Sequence, residues 1–211
     1  QQERTISDAF EQTTSGETLV DLMGLDMLVG SGGVLSHAPR RNQAARMLID
    51  SFLPEGITQL AVDSIFMMPQ LGILSTMHSK AAVEVFEKDC LIRLGTCIAP
   101  VGLQKDGMPI LKYELLLSNG KMKGELHAGE IKLIPVPYES IDATFFPEKG
   151  IDIGAGMNEM LERKIYGGVV GIILDGRGRK PFNLPADQKN RVSKLIEWAN
   201  ETREFPNIKL N

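Results

Sequence analysis

A glycine-rich turn, Gly30-Ser31-Gly32-Gly33, follows a short apolar run and precedes a segment with helical spacing. Glycine has no side chain, so the backbone of such a turn can approach a ligand closely. The first N–H groups of the helix that follows point into the same space, and they favour negatively charged or polar groups. The pattern therefore predicts an α/β fold at the start of the chain, with a nucleotide site at the turn.

The segments around this turn predict a strand, a helix and a second strand. We expect strands over Leu25–Val29 and Gln59–Val62, with a helix between them that is capped by Ser36 and has Pro39 in its first turn. One helical face carries Ala38, Ala45, Leu48, Ile49 and Phe52. This order predicts a right-handed parallel unit, followed by at least one further helix within residues 70–88.

Two common nucleotide motifs do not fit the turn. A P-loop needs a lysine after the glycines, and no lysine lies near Gly30–Gly33. In a dinucleotide fingerprint the third glycine position holds Leu35, and the acid at the expected distance, Asp50, falls on the predicted helix instead of at a strand end. On the pattern alone, the alternative is a tight strand-to-helix turn that binds no ligand.

The composition excludes several classes of protein. The net charge of -4 argues against a broad basic surface for nucleic acid. The chain has no apolar run of about 20 residues and no secretory signal, which predicts no membrane partner and a cytoplasmic protein. Cys90 and Cys97 have no zinc spacing and are expected to be reduced thiols, and the three histidines suggest no metal cluster. Because the chain starts at Gln1 with mid-chain character, we expect a piece of a longer protein.

The second part of the chain is rich in β-strand patterns. Asp106-Gly107 and Asn119-Gly120 are hairpin turn signals, and Lys189–Glu201 predicts a closing helix that packs through Val192, Leu195, Ile196 and Ala199, with Trp198 nearby. The predicted strands are Leu91–Ile98, Ile110–Leu117, Glu130–Val136 and Val169–Leu174. We therefore predict two domains, an α/β unit over residues 1–89 and a β-rich barrel or sandwich with a C-terminal helix over residues 90–211.

Several polar or glycine-rich groups remain open to two interpretations. The sequence from Gly150 to Gly156 looks like a phosphate motif, but no serine or threonine follows it, so we expect a turn without a ligand. Gly167-Gly168 and the basic set Arg177, Arg179 and Lys180 are expected to form solvated turns. His37 either neighbours a nucleotide or bonds to backbone, and Arg40 and Arg41 either face an anion or are solvated.

Residues 28–41 and 61–75 closely resemble the MutL (GlmL-type) accessory proteins of adenosylcobalamin-dependent glutamate mutase, which are unrelated to the mismatch-repair protein called MutL. That family is similar to the ATPases of the actin, sugar kinase and Hsp70 superfamily. The resemblance implies the C-terminal part of such an ATPase lobe, followed by a β-rich extension. It places Gly30, Gly32 and Gly33 against adenosine, with Ser31 and Ser36 as hydrogen-bonding neighbours, and implies no catalytic or metal-binding residues in this chain.

The resemblance also implies a function. The chain would be the C-terminal portion of an ATP-dependent reactivating chaperone, whose partner is an adenosylcobalamin-dependent mutase and whose cofactors are ATP, with Mg²⁺ in the full-length protein, and indirectly adenosylcobalamin. The first phosphate motif of the superfamily, D-x-G-[ST] before the adenosine turn, has no counterpart here, so we expect no ATPase activity from this chain alone.

Two alternatives belong to other classes. One is an interaction module that docks a mutase without nucleotide. The other is a hydantoinase-like enzyme fragment, which the lack of paired carboxylates or histidines at useful spacing disfavours.

Overall fold

The computed structural model describes residues 21–179 and 184–206. These residues form an α/β fold with two sheets, which confirms the predicted fold class. The first sheet has five strands in the order β1-β2-β3-β9-β6, and the second has four in the order β5-β4-β7-β8. Within the described residues the sheets are open, so of the two predicted forms of the β-rich part, barrel or sandwich, the barrel does not form.

The elements have the following bounds. The helices are α1 (Gly33–Ser36), α2 (Arg41–Phe52), α3 (Met68–Val85), which continues into a π-helical turn at Phe86–Cys90, and α4 (Gln188–Glu201). The strands are β1 (Met27–Gly30), β2 (Gly56–Asp63), β3 (Leu91–Ala99), β4 (Pro109–Leu117), β5 (Gly120–His127), β6 (Ile131–Ile134), β7 (Ser140–Pro147), β8 (Leu161–Tyr166) and β9 (Gly171–Asp175).

The predicted parallel unit is present, but its helix begins later than expected. β1 and β2 pair in parallel, and α2 connects them. The N-cap of α2 is Arg40, whose N–H donates to the side chain of Gln43. Ser36 is instead the last residue of the separate helix α1. Pro39 disfavours the helical conformation for Ala38, the residue before it, so α1 does not continue into α2. Ser36 therefore does not cap α2.

The five-stranded sheet contains strands from both sides of residue 90. β2 pairs antiparallel with β3, with Asp63 opposite Leu91 and Gly56 opposite Ala99. β3 in turn pairs in parallel with β9, which pairs antiparallel with β6. Strands of both predicted domains thus share one sheet, and the division of the chain at residue 90 stays a prediction.

One of the two predicted hairpins forms. Asn119-Gly120 connects β4 to β5, with Leu117 opposite Gly120. Asp106-Gly107 forms a turn, but it lies in the connection from β3 of one sheet to β4 of the other, so it makes no hairpin. The sequence analysis also missed β5, β7 and β8, in which buried apolar residues are interrupted by charged side chains on the exposed face.

Two apolar cores separate three layers. One core lies between the two sheets and includes Ile98, Leu115 and Phe145, all 0% exposed. The other lies between the five-stranded sheet and the helices α2 and α4, and includes Leu48 and Trp198. Helices, the five-stranded sheet and the four-stranded sheet thus stack in that order, which is a common way to bury both faces of a central sheet.

The packing face of α4 differs from the predicted one. Trp198 is its buried residue, whereas Val192 and Leu195 are each 42% exposed. The indole offers the largest apolar surface on the helix, and its Nε1 donates to the carbonyl oxygen of Gly129 at 2.9 Å. This side chain therefore decides how the helix is rotated against the sheet.

α3 is apolar but lies largely at the surface. Ile73 is 74% exposed and Met77 is 80% exposed, while Leu71 and Ala82 pack against the end of the π-helical turn at Cys90. Among the helices in the described ranges, none combines the length and the apolar character that a membrane crossing needs.

Candidate functional site

The predicted nucleotide turn lies at the edge of the sheet where β1 and β2 end. Because these two strands are parallel, Gly30 at the end of β1 lies beside Val62, one residue before the end of β2 at Asp63. The carboxyl ends of parallel strands are the usual place for ligands in open α/β sheets. Four of the five predicted site residues, Ser31, Gly32, Gly33 and Ser36, follow directly in the turn and α1.

Gly30 faces the interior of the protein. A Cβ atom added there would lie 2.5 Å from Cδ1 of Leu35 and 2.8 Å from Cδ2 of Leu48. Glycine at this position therefore lets α1 and α2 approach the end of β1, and only its backbone remains for a ligand.

Gly32 and Gly33 border open space. Gly32 has a φ of 106°, which glycine adopts without strain, and no atom lies within 4 Å of a Cβ placed there. The equivalent position at Gly33 has only Cδ2 of His37 nearby, at 4.0 Å. These two residues form the side of the turn that a ligand can approach.

The buried carboxylate of Asp63 stabilises the glycine turn through a hydrogen bond. Asp63 is 0% exposed, and its Oδ2 accepts a hydrogen bond from the Ser31 hydroxyl at 3.3 Å. The same carboxylate accepts from the N–H groups of Met67 at 3.1 Å and Met68 at 2.9 Å, where α3 begins. Burial opposes ionisation, but these hydrogen bonds outweigh it and hold the pKa of Asp63 below its usual value.

Asp63 directly follows the predicted strand Gln59–Val62, but the sequence analysis assigned it no role. The sequence signal that could have identified it is an acidic residue directly after a buried strand that is predicted to lie beside the glycine turn. Ser36, by contrast, donates its hydroxyl hydrogen to the carbonyl oxygen of Gly32 at 3.0 Å and is 6% exposed. Its hydroxyl thus supports α1, and only its oxygen lone pairs remain for another partner.

A groove of about 560 Å³ runs from the open side of the turn along α2. Its lining residues include Gly33, Val34, His37, Arg46, Asp50 and Glu204. Within it, Arg46 pairs with Asp50 at 2.7 Å and with Glu204 at 3.4 Å. This volume lies in the range of small-molecule sites, about 300–1,000 Å³.

The basic residues near the turn have different roles. Arg41 donates from Nη1 to the carbonyl oxygen of Ser36 at 2.9 Å, so it satisfies the end of α1 and is not a solvated partner of Arg40. Arg40 is exposed, and His37 is exposed at the end of α1, where its backbone N–H donates to Gly33. His37 thus lines the groove close to Gly33, whereas Arg46, the other basic residue of the lining, is paired with Asp50 and Glu204.

The second glycine-rich motif is a turn held by its own aspartate. Oδ1 of Asp152 accepts from the N–H groups of Gly154 at 2.7 Å and Gly156 at 3.1 Å. The backbone of Asp152 forms bridges with Val101 and Met157. The carboxylate is therefore used inside the turn, as expected for a structural segment.

The expectation of solvated turns at Arg177 and Arg179 is wrong. Arg177 is 0% exposed and Arg179 is 2% exposed, and both bind the buried Asp175 at 2.7 Å. Arg177 also pairs with Asp50 of α2 at 2.8 Å and lies over the Trp198 ring. Lys180, the third member of the predicted set, lies outside the described residues.

Gly167 and Gly168 are also packed instead of solvated. A side chain at Gly167 would collide with the carbonyl oxygen of Pro137, and one at Gly168 would collide with the backbone of Leu94. These glycines let the connection from β8 to β9 pass close to β3.

No metal centre emerges from the part of the chain that the structure describes, because no three histidine, cysteine or acidic side chains there are grouped suitably. Cys90 and Cys97 are buried free thiols. Burial raises the pKa of Cys97 to about 12, so this thiol stays protonated at neutral pH.

Comparison with known proteins gives one match. Residues 5–90 match the model of the family described as MutL protein. The match covers less than half of the chain and includes the glycine turn, Asp63 and α3. No curated protein and no solved structure matches the chain significantly.

Proposed function

Since residues 5–90 are of the MutL type, we propose that this chain is part of a glutamate mutase accessory protein that binds ATP at the turn Gly30–Gly33. The observation that carries the proposal is the open side of Gly32 and Gly33, together with the groove of about 560 Å³ that Gly33 lines. Bare backbone at the carboxyl end of two parallel strands suits the adenosine half of a nucleotide.

Within this site, the residues divide into contacts and supports. In this proposal Gly32 and Gly33 contact adenosine through their backbone, and Gly33 and His37 line the groove. Asp63 positions Ser31 and the start of α3, so it acts on the nucleotide site indirectly. The bond from Ser31 to Asp63 leaves the Ser31 oxygen as an acceptor for a ribose hydroxyl.

The wider role is that of a reactivating chaperone. Hydrolysis of ATP requires groups that position and stabilise the transferred phosphoryl group together with Mg²⁺. We place those groups in a part of the protein outside this chain, whose contribution is the adenosine half of the site. Nucleotide-driven movement would then help an adenosylcobalamin-dependent mutase to exchange its cofactor.

Calorimetric titration with ATP tests the nucleotide site. Gly33→Leu should weaken ATP binding at least tenfold, because the new side chain enters the open side of the turn. Gly72→Leu is the matched control, since Gly72 also borders open space but lies on α3. Absence of saturable ATP binding to the unchanged protein, or equal binding by Gly33→Leu, would contradict the proposal.

A second function, docking of a mutase without nucleotide, is favoured by α3. Its exposed apolar residues, such as Ile73 and Met77, form a surface that suits a protein partner better than water. Binding of purified glutamate mutase with and without ATP separates the two functions. Binding that is lost in Met77→Lys and does not depend on ATP would support the docking function over the nucleotide function.

A further inference from the structure

A second cavity lies at the opposite edge of the five-stranded sheet. β3 and β9 run parallel to each other, while β3 runs antiparallel to β2. The carboxyl ends of β3 and β9, at Ala99 and Asp175, therefore lie at the edge where β2 begins, away from the glycine turn. The cavity lies beyond these two strand ends, which is the position that ligands favour in open α/β sheets.

The walls of this cavity are largely backbone and apolar side chains. It has a volume of about 320 Å³, and its lining includes Pro100, Gly102, Ile110, Gly129, Gly176 and Trp198. A side chain at Gly176 would collide with the carbonyl oxygen of His127. The glycines thus expose peptide groups to the cavity, and its volume lies at the small end of the range for ligand sites, about 300–1,000 Å³.

One acid and one base line the same cavity. Asp106 is exposed, and its carboxylate lies beside Gly129, where any side chain would collide with it. Lys194 on α4 is the cationic side chain of the lining. Its Nζ lies 3.1 Å from the carboxylate of Glu197, which is 51% exposed. Ion pairs with an exposed partner contribute little to stability, so a ligand carboxylate can compete for the lysine.

We propose that this cavity binds a small zwitterion, an α-amino acid, whose ammonium group pairs with Asp106 and whose carboxylate pairs with Lys194. The small volume disfavours a nucleotide. A purely apolar ligand would make use of neither of the two charged groups that line the cavity. The proposal concerns a different edge of the sheet from the ATP site and does not depend on it.

Trp198 provides a direct reporter of occupancy. It is the only tryptophan in the chain, and it forms part of the cavity wall. Its ring also packs against Arg177, whose guanidinium carbon lies 5.2 Å from the ring centroid. A ligand in the cavity changes the surroundings of this indole, so its fluorescence follows binding.

The test is a titration of the protein with each of the twenty standard L-amino acids, followed by Trp198 fluorescence and calorimetry. We expect a saturable change with at least one of them. The N-acetyl and methyl ester derivatives of that amino acid should each bind at least tenfold more weakly, because each lacks one of the two charges. This comparison needs no variant and so does not depend on the folding of one.

Charge-removing variants locate the binding. Asp106→Asn and Lys194→Met should each weaken it at least tenfold, whereas Asp142→Asn and Lys164→Met should leave it unchanged. Asp142 and Lys164 form the matched control because they are an exposed acid and base on the four-stranded sheet. The proposal is overturned if no amino acid gives a saturable signal, if the blocked derivatives bind equally well, or if Asp106→Asn and Lys194→Met bind like the unchanged protein.

Discussion

Asp175, at the end of β9, is connected through its two arginine partners to α2 and to the segment between α2 and β2. Burial disfavours its ionised form, but the charges of Arg177 and Arg179 outweigh that effect and hold the pKa of Asp175 far below its usual value. Arg177 continues to Asp50 of α2, and Arg179 donates from Nε to the carbonyl oxygen of Pro54 at 2.9 Å. The end of β9 is thereby tied to α2 and to the start of β2.

Asp175→Asn should lower the free energy of unfolding by about 3–5 kcal/mol, because it leaves two buried guanidinium groups without their anion. Urea unfolding followed by circular dichroism measures the change. Asp142→Asn, at an exposed site, should stay within about 0.5 kcal/mol of the unchanged protein. Equal effects of the two substitutions would show that the buried pair contributes little.

The same carboxylates predict the response to acid. Asp63 and Asp175 both have pKa values below the ordinary value of 3.8, so they stabilise the fold fully above that pH. This contribution is lost as the pH falls from about 4 toward their lower folded pKa values, because the unfolded state then takes up protons first. The unfolding midpoint of the unchanged protein, measured from pH 6 to pH 2, should fall more steeply than that of Asp175→Asn.

The thiols should be unreactive in the folded protein. Burial raises the pKa of Cys97 to about 12, and burial also raises the pKa of Cys90. Since the thiolate is the reactive form, iodoacetamide at pH 8 should alkylate neither residue. Mass spectrometry measures the modification, and the same reaction in denaturant, where both should be alkylated, is the control. Rapid native alkylation of Cys97 would contradict its burial.

At the scale of elements, the close packing of β1, α1 and α2 depends on the absence of a side chain at Gly30. Gly30 and Gly33 lie in one short turn, yet a side chain at Gly30 would enter the core, whereas one at Gly33 would enter open space. The pattern of glycines in the sequence predicted the turn but could not separate these roles, because the difference depends on Leu48, a residue of the following helix.

Gly30→Ala should therefore destabilise the protein by about 1–3 kcal/mol through overpacking against Leu35 and Leu48. Gly33→Ala should change stability by no more than about 0.5 kcal/mol, since nothing occupies the space it enters. Thermal unfolding of the two variants gives the comparison. A larger loss in Gly33→Ala than in Gly30→Ala would contradict the packing described for the turn.

At the scale of the whole molecule, the two edges of one sheet offer different sites. One edge carries the glycine turn with Asp63, and the other carries the cavity beside Trp198. α2 and α4 pack on the same face of the sheet and connect these edges, with Arg46 lying 5.8 Å from the Trp198 ring centroid. The two proposed sites, one for a nucleotide and one for a smaller ligand, therefore share no lining residue.

This chain alone should not hydrolyse ATP, so phosphate release should stay at the background rate. In the proposed site the chain supplies only backbone for adenosine, and its sequence lacks the D-x-G-[ST] phosphate motif before the turn. A phosphate-release assay at saturating Mg²⁺ and ATP measures this, with Gly33→Leu as the control for contaminating ATPases. Turnover that exceeds background and falls in Gly33→Leu would place catalytic groups within this chain.

The amino-acid sequence by itself determined the features that depend on local pattern. Neighbouring residues were enough to predict the helical spacing, the glycine turn, the parallel unit of β1 and β2 and the Asn119-Gly120 hairpin. The resemblance of residues 28–41 and 61–75 to MutL proteins was likewise visible in the sequence, and the family model matches residues 5–90. Only the tertiary structure decided which charges are buried. From the sequence, Arg177 and Arg179 are expected to lie in a solvated turn. In the structure the carboxylate of Asp175, at the end of β9, binds both side chains in the interior, and the indole of Trp198 packs against Arg177. Asp175 lies within four residues of both arginines, but Asp50, Pro54 and Trp198 lie elsewhere in the sequence. Burial of a charge among such distant groups leaves no periodic trace along the chain.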